Sequence, residues 1–181
     1  MKTNSTFKTI ALTFLMLFSL SITAQKFKDL DKSPMDAAAF PSSYKIAEKA
    51  IKIIYSRPQL KGRTLSKLAP NGKVWRTGAN EAPELTLYKD MMLGSTKIPA
   101  GTYTFYMIPG EKEWTAIISK DINAWGSYFY DEANDIARLT VPVTKDESSL
   151  EAFSIAFNAS KKGVTMHLGW GTTRVAVPFS N

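Results

Sequence analysis

Val164-Thr-Met-His-Leu-Gly-Trp170, followed after a short gap by Val175-Ala-Val-Pro-Phe179, decides the fold. Apolar residues fall at every second position: Val164, Met166, Leu168 and Trp170, then Val175, Val177 and Phe179. Successive side chains of a strand point to opposite faces, so each set lines one face of a sheet. Working backwards, the same period recurs in Phe153, Ile155 and Phe157, in Leu139, Val141 and Val143, and in Trp114, Ala116 and Ile118. It continues through Tyr103, Phe105 and Met107, through Leu85 and Leu87, and through Ile51, Ile53 and Tyr55. The joints carry turn residues, as in Pro99-Ala-Gly101, Pro109-Gly110 and Lys162-Gly163. Eight or nine short strands at this spacing predict an all-β, antiparallel β-sandwich, jelly-roll-like, with one long ordered loop. Tyr44, Ala47, Ala50 and Ile51 fall near a helical spacing over Ser42 to Ile53, but Ile51, Ile53 and Tyr55 run straight towards Pro58, which favours a strand, or a short turn and then a strand. A second helical turn is expected around Asp131 to Ile136.

At the other end, Lys2 and Lys8 precede an uncharged run from Ile10 to Ile22, and the small residues Thr23 and Ala24 follow. Charged n-region, apolar h-region and small-residue cleavage site together predict a secretory signal peptide over residues 1–24. The apolar run is shorter than the roughly 20 residues that span a bilayer as a helix, which disfavours the alternative of an uncleaved anchor. Residues 25–41, polar and punctuated by proline, read as an N-terminal arm, and residues 42–181 as a single β-sandwich domain. The expected product is periplasmic or secreted, with no stable membrane anchor after cleavage. The chain has no cysteine, so thiolate catalysis, cysteine metal sites, disulfides and a lipoprotein-type anchor are excluded. Its net charge of +7 includes Lys2 and Lys8, and the remaining lysines are scattered, so no nucleic-acid footprint is expected.

One stretch resists the alternation: Tyr55-Ser-Arg-Pro-Gln-Leu-Lys-Gly-Arg63, then Leu68-Ala-Pro-Asn-Gly-Lys-Val-Trp75-Arg-Thr-Gly-Ala-Asn-Glu81. Loops longer than about 12–15 residues are usually functional or disordered. Leu65, Leu68, Val74 and Trp75 want burial, so an ordered loop laid across the sandwich is the better reading. Tyr-Ser-Arg-Pro, Lys-Gly-Arg, Trp-Arg-Thr-Gly-Ala-Asn-Glu, Pro-Ala-Gly-Thr-Tyr and Trp-Gly-Ser-Tyr-Phe-Tyr-Asp, with Asp135 and Arg138 beyond them, resemble the DUF2911 family of exported bacterial proteins, common among Bacteroidetes. The resemblance runs from about Ser33 to the C-terminus. It implies no reaction, because the family is a domain of unknown function. Its members often carry an acidic residue after the tryptophan of the penultimate strand, where this chain has Gly171 after Trp170.

The candidate ligand-binding residues are Arg57, Arg63, Trp75, Arg76, Asn80 and Glu81 in the loop, with Trp125, Tyr128, Asp135 and Arg138 further on. Arginine offers a planar fork of donors for carboxylate, phosphate or a stacked ring. The plainer alternative pairs Arg76 with Glu81 or sets them to cap loop carbonyls. Trp125, Tyr128 and Tyr130, around Gly126, form either a stacking surface for a sugar or ordinary core and rim packing. Asp135 and Arg138 suit a local ion pair. His167 is the only histidine, and the chain contains no Gly-x-Ser-x-Gly, so neither a zinc site nor a serine triad is indicated. No metal and no cofactor is expected. The leading functional expectation is an exported domain binding a small molecule, a glycan or an anionic group. A carboxylate-dependent hydrolase using Glu81 or Asp135 and a structural or interaction module of the envelope are the alternatives.

Overall fold

In the computed structural model, which describes residues 25–181, the alternating segments pair in turn into one antiparallel sheet of nine strands. The signal-peptide reading lies outside the described residues. Residues 25–30 carry no regular secondary structure, and Asp31–Asn181 forms one compact unit. The strands are β1 Met35–Phe40, β2 Ile51–Ser56, β3 Glu84–Leu87, β4 Met91–Leu93, β5 Thr96–Ile98, β6 Gly101–Ile108, β7 Glu113–Ser119, β8 Asp135–Ser160 and β9 Gly163–Ser180. Their order across the sheet is β1-β2-β3-β6-β7-β8-β9-β4-β5, so β1 and β5 are its edges. The only helix among the described residues is one turn, α1 Leu65–Leu68, and a 3₁₀ turn at Glu132–Asn134 answers the second helical expectation.

Strands β8 and β9 are longer than the sequence suggested. The segments around Leu139–Val143 and Phe153–Phe157 are two halves of β8, and those around Val164–Trp170 and Val175–Phe179 are two halves of β9. No reversing turn separates the halves. Instead the register shifts between Lys145 and Leu150 and again between Leu150 and Ser154, an irregularity that bends the ribbon. Gly171, opposite Leu150 in this stretch, has φ +55, a left-handed conformation in which side chains other than glycine are strained. That backbone demand gives a physical reason for glycine after Trp170. β8 pairs with β7 from Asp135 to Pro142 and with β9 from Val143 onward, so it carries the chain from one layer to the other. Part of the N-terminal arm also becomes structure: Met35–Phe40 pairs along its whole length with β2.

The inward residues of both layers meet in one core, from Ile51, Ile53 and Tyr55 on β2 to Met166, Leu168 and Trp170 on β9. Tyr55 spans it: its ring meets Phe153 edge-on at 5.6 Å and its hydroxyl accepts the Ile155 amide at 2.8 Å. At one end the loop contributes Trp75, which stacks on Trp170 at 5.6 Å and meets Trp114 and Phe153 edge-on. The indole N–H groups of Trp114 and Trp170 donate to the carbonyls of Gly110 and Glu151, each at 3.1 Å, so these rings are buried without orphaned donors. Truncating Trp75 removes a large ring that its neighbours cannot replace. Trp75→Ala is expected to lower unfolding stability by about 3–5 kcal/mol in urea titrations, whereas Trp125→Ala, at an exposed position, stays within about 0.5 kcal/mol.

Candidate functional site

Backbone pairing holds the long loop at both ends. Its first limb lies along β8, with the Leu60 amide donating to Glu151 and the Phe153 amide to Pro58, both at 2.9 Å. Its second limb joins β6, where Trp75 and Met107 exchange hydrogen bonds of 2.7 and 3.1 Å. The chain then winds tightly through Thr77 and Asn80, both with positive φ, and meets a second loop, residues 121–130. The Gly126 amide donates to Asn80 at 3.0 Å, the Ala82 amide to Ala124 at 2.9 Å, and the Ser127 hydroxyl to Val74 at 3.0 Å. Beneath these laced loops is a second, smaller core on the outer face of β6 and β7. Ala82, Tyr106 and Ile117 are buried there, with Val74, Ile108, Ala124 and Tyr130 packed around them. This small core fixes the two loops as one surface.

The ten candidate residues fall into distinct groups. Arg57 is spent within the fold, donating to Phe153 at 3.0 Å, Asp36 at 2.9 Å and Ser154 at 2.7 Å. Arg63 closes its own loop through the carbonyls of Leu60 and Gln59. Trp75 belongs to the main core. Asp135 and Arg138 form a local network: one Asp135 oxygen accepts from both Tyr130 and Arg138, and Arg138 also reaches Glu132 at 3.1 Å. The other Asp135 oxygen is buried without a hydrogen-bond partner.

The remaining five, Arg76, Asn80, Glu81, Trp125 and Tyr128, come together where the two loops are laced. Glu81 pairs with Trp125 through a backbone bridge. The Arg76 guanidinium lies 5.9 Å from the Tyr128 ring centroid, within cation–π range, and its one hydrogen bond is a long 3.4 Å contact to the Asn80 carbonyl. No ion pair joins Arg76 to Glu81 among the described residues. Trp125 and Tyr128 are exposed, at 56% and 72%, together with Ile122 and Phe129, and so lie at the rim and not in the core, whereas Tyr130 packs against the small core.

Two clefts flank the crest formed by residues 124–130. One, of about 190 Å³, is lined by Leu68, Pro70, Lys73, Trp75, Arg76 and Tyr128. The other, of about 200 Å³, is lined by Tyr106, Asp121, Trp125, Phe129 and Tyr130. Lys73, Tyr106, Asp121 and Phe129 escaped the sequence reading. The signal for Tyr106 was present, because Tyr106 and Ile108 are apolar on the face of β6 opposite Phe105 and Met107, the mark of a strand covered on both sides. His167 lies elsewhere, half-buried on β9 opposite Ala156. It borders a groove of about 490 Å³ in which Arg174 is already engaged by Asp146 and by backbone carbonyls. Among the described residues, no group of three or more His, Cys, Asp or Glu could hold a metal ion, and no helix is long and apolar enough to cross a membrane.

Burial pushes the Tyr106 phenol up to about 12, helped by the charges of Asp121 and Asp135. Burial, then the hydrogen bond to Asp135, raises Tyr130 to about 12 as well. The folded protein therefore holds these protons more tightly than the unfolded chain, whose phenols titrate near 10. The stability they contribute is whole below pH 10 and is lost as the pH climbs from about 10 to 12. Thermal unfolding midpoints are expected to fall across that window, and Tyr106→Phe, which has no proton to lose, is expected to flatten the fall.

The family model described as a protein of unknown function, DUF2911, matches residues 33–179, from ahead of β1 to near the end of β9. Neither a curated protein nor a solved structure matches the chain. The matched span takes in both layers, the long loop and the crest opposite it, and the chain thus belongs to the DUF2911 family.

Proposed function

We propose that this protein is an exported binding domain and that it takes a small anionic ligand, an acidic sugar above all, in the cleft bordered by Arg76. The observation that carries this reading is the state of the arginines. Arg57, Arg63, Arg138 and Arg174 each donate to a carboxylate or carbonyl at 3.0 Å or less. Arg76 has only its long contact to Asn80, and its half-buried fork borders a cleft that also contains Lys73. A guanidinium placed over a ring without close hydrogen bonds keeps its donors free for an oxyanion, and charge-assisted bonds to such a group are the strong ones. Tyr128 beside it offers a face for a sugar ring. The leader-like residues 1–24 support export. Of the two acids named for a hydrolase, Asp135 is tied to Arg138 and Tyr130 and so gives that alternative less support, whereas the Glu81 carboxylate has no ion pair among the described residues.

Calorimetric titration with glucuronate and galacturonate, against glucose and galactose as uncharged controls, tests the reading. Saturable binding is expected for the uronates and not for the neutral sugars. Arg76→Ala is expected to weaken uronate binding by about 10- to 150-fold, the equivalent of about 1.5–3 kcal/mol for hydrogen bonds to a charged group, with the unfolding midpoint unchanged. Equal affinity for the neutral sugars, or an Arg76→Ala protein that binds as well as the parent, would overturn it.

A further inference from the structure

The cleft on the other side of the crest has the opposite chemistry. Its floor is the buried Tyr106, against which the half-buried Tyr130 ring stands nearly perpendicular, 77° apart with centroids at 5.3 Å. Its outer lip is Trp125, exposed at 56%, and Phe129, exposed at 89%. Asp121 is the only charged side chain lining it, held in place by Asn134, which donates to one carboxylate oxygen at 2.7 Å, and no lysine or arginine is among the lining residues. Asp131 follows Tyr130 in sequence, and Glu132 and Asp135 both pair with the single Arg138, which leaves a surplus of negative charge beside the cleft. Arg76 borders the other cleft, and Lys120, next to Asp121 in sequence, is not among the residues lining this one.

Aromatic faces carry negative potential, and several of them around one small space, with a carboxylate at the side, attract an organic cation that is too weakly hydrated to prefer water. A carboxylate or phosphate finds no donor of positive charge in that space. Tyr130 is committed to Asp135 and one oxygen of Asp121 to Asn134, which leaves the second Asp121 oxygen and the Tyr106 hydroxyl as the polar groups without a partner among the described residues. We propose that the cleft formed by Tyr106, Asp121, Trp125, Phe129 and Tyr130 is an aromatic cage for a quaternary or methylated ammonium group. The inference stands on this cleft alone and does not depend on the anion reading of Arg76.

Choline and tetramethylammonium are the probes, followed by calorimetry and by tryptophan fluorescence, which Trp125 reports because Trp75, Trp114 and Trp170 are buried. The control is the uncharged isostere of choline in which a tert-butyl group replaces trimethylammonium. Saturable binding of both cations is expected, at least tenfold tighter than the isostere. Trp125→Ala is expected to cost about tenfold in choline affinity, and Asp121→Asn several-fold, while Arg76→Ala retains choline binding. Trp125 is exposed, so its truncation tests the cage without threatening the fold. The proposal is overturned if neither cation binds, if the isostere binds as tightly as choline, if Trp125→Ala binds choline unchanged, or if Arg76→Ala abolishes the binding. Loss of uronate binding with choline binding intact, or the reverse, separates this site from the one at Arg76.

Discussion

Trp75 is the constraint on which the rest of the structure depends, because one residue is fixed at once by its backbone and by its ring. Its amide and carbonyl pair with Met107 on β6, extending the sheet beyond the reach of β3, while its indole stacks on Trp170 from the opposite layer. A loop tied only by backbone bonds at the surface would open locally at little cost. Tied through a buried tryptophan, it moves only when the end of the main core moves. The pairing with Met107 also sets which neighbours of Trp75 face outward. Because Trp75 points inward, the flanking Val74 and Arg76 are delivered to the outer side, Val74 against the small core and Arg76 to the cleft.

Geometry separates arginines that hold the fold from one that does not. Arg57 bridges β1 and the second half of β8 by donating to Asp36, Phe153 and Ser154, so it secures an edge strand against the facing layer. Arg174 braces the bend of β8 by donating to the Ser148 carbonyl and pairing with Asp146. Such groups fill donor requirements that burial creates, whether or not a ligand exists. Arg76 answers no such requirement. It stands over Tyr128 with a single long hydrogen bond, which is why it and not its more fully bonded counterparts defines the candidate site.

Much of the fold was legible because its strands alternate. Inward residues such as Phe105, Trp114, Phe157 and Val177 are all buried in the main core, where their period put them. The bend of β8 was not legible, since a register shift between Lys145 and Ser154 carries no turn residue of the Gly-Pro kind and pairing partners are set by tertiary contact. β1 was missed for a related reason: Met35-Asp-Ala-Ala-Ala-Phe40 has low strand propensity and becomes a strand only because β2 offers an edge. Of the site, the loop was legible from its length and from Trp75. The sorting of its arginines was not, because Arg57 and Arg76 differ only in which carbonyls and carboxylates the fold brings to them.

The crest between the clefts owes its shape to Gly126. With φ +70 it turns the chain where other residues are strained, and a Cβ there would sit 2.8 Å from the Tyr128 ring and 3.1 Å from the Arg76 guanidinium. Absence of that atom lets Tyr128 and Arg76 close against the backbone. The same turn parts Trp125 from Tyr128, so that two aromatic residues three positions apart line different clefts. Trp125 stands with Asp121, and Tyr128 with Arg76. A single narrow ridge thereby holds a cation and an anion apart on its two sides. The place of Arg76 beside Tyr128 thus depends on backbone geometry at one glycine as well as on the arginine's own contacts.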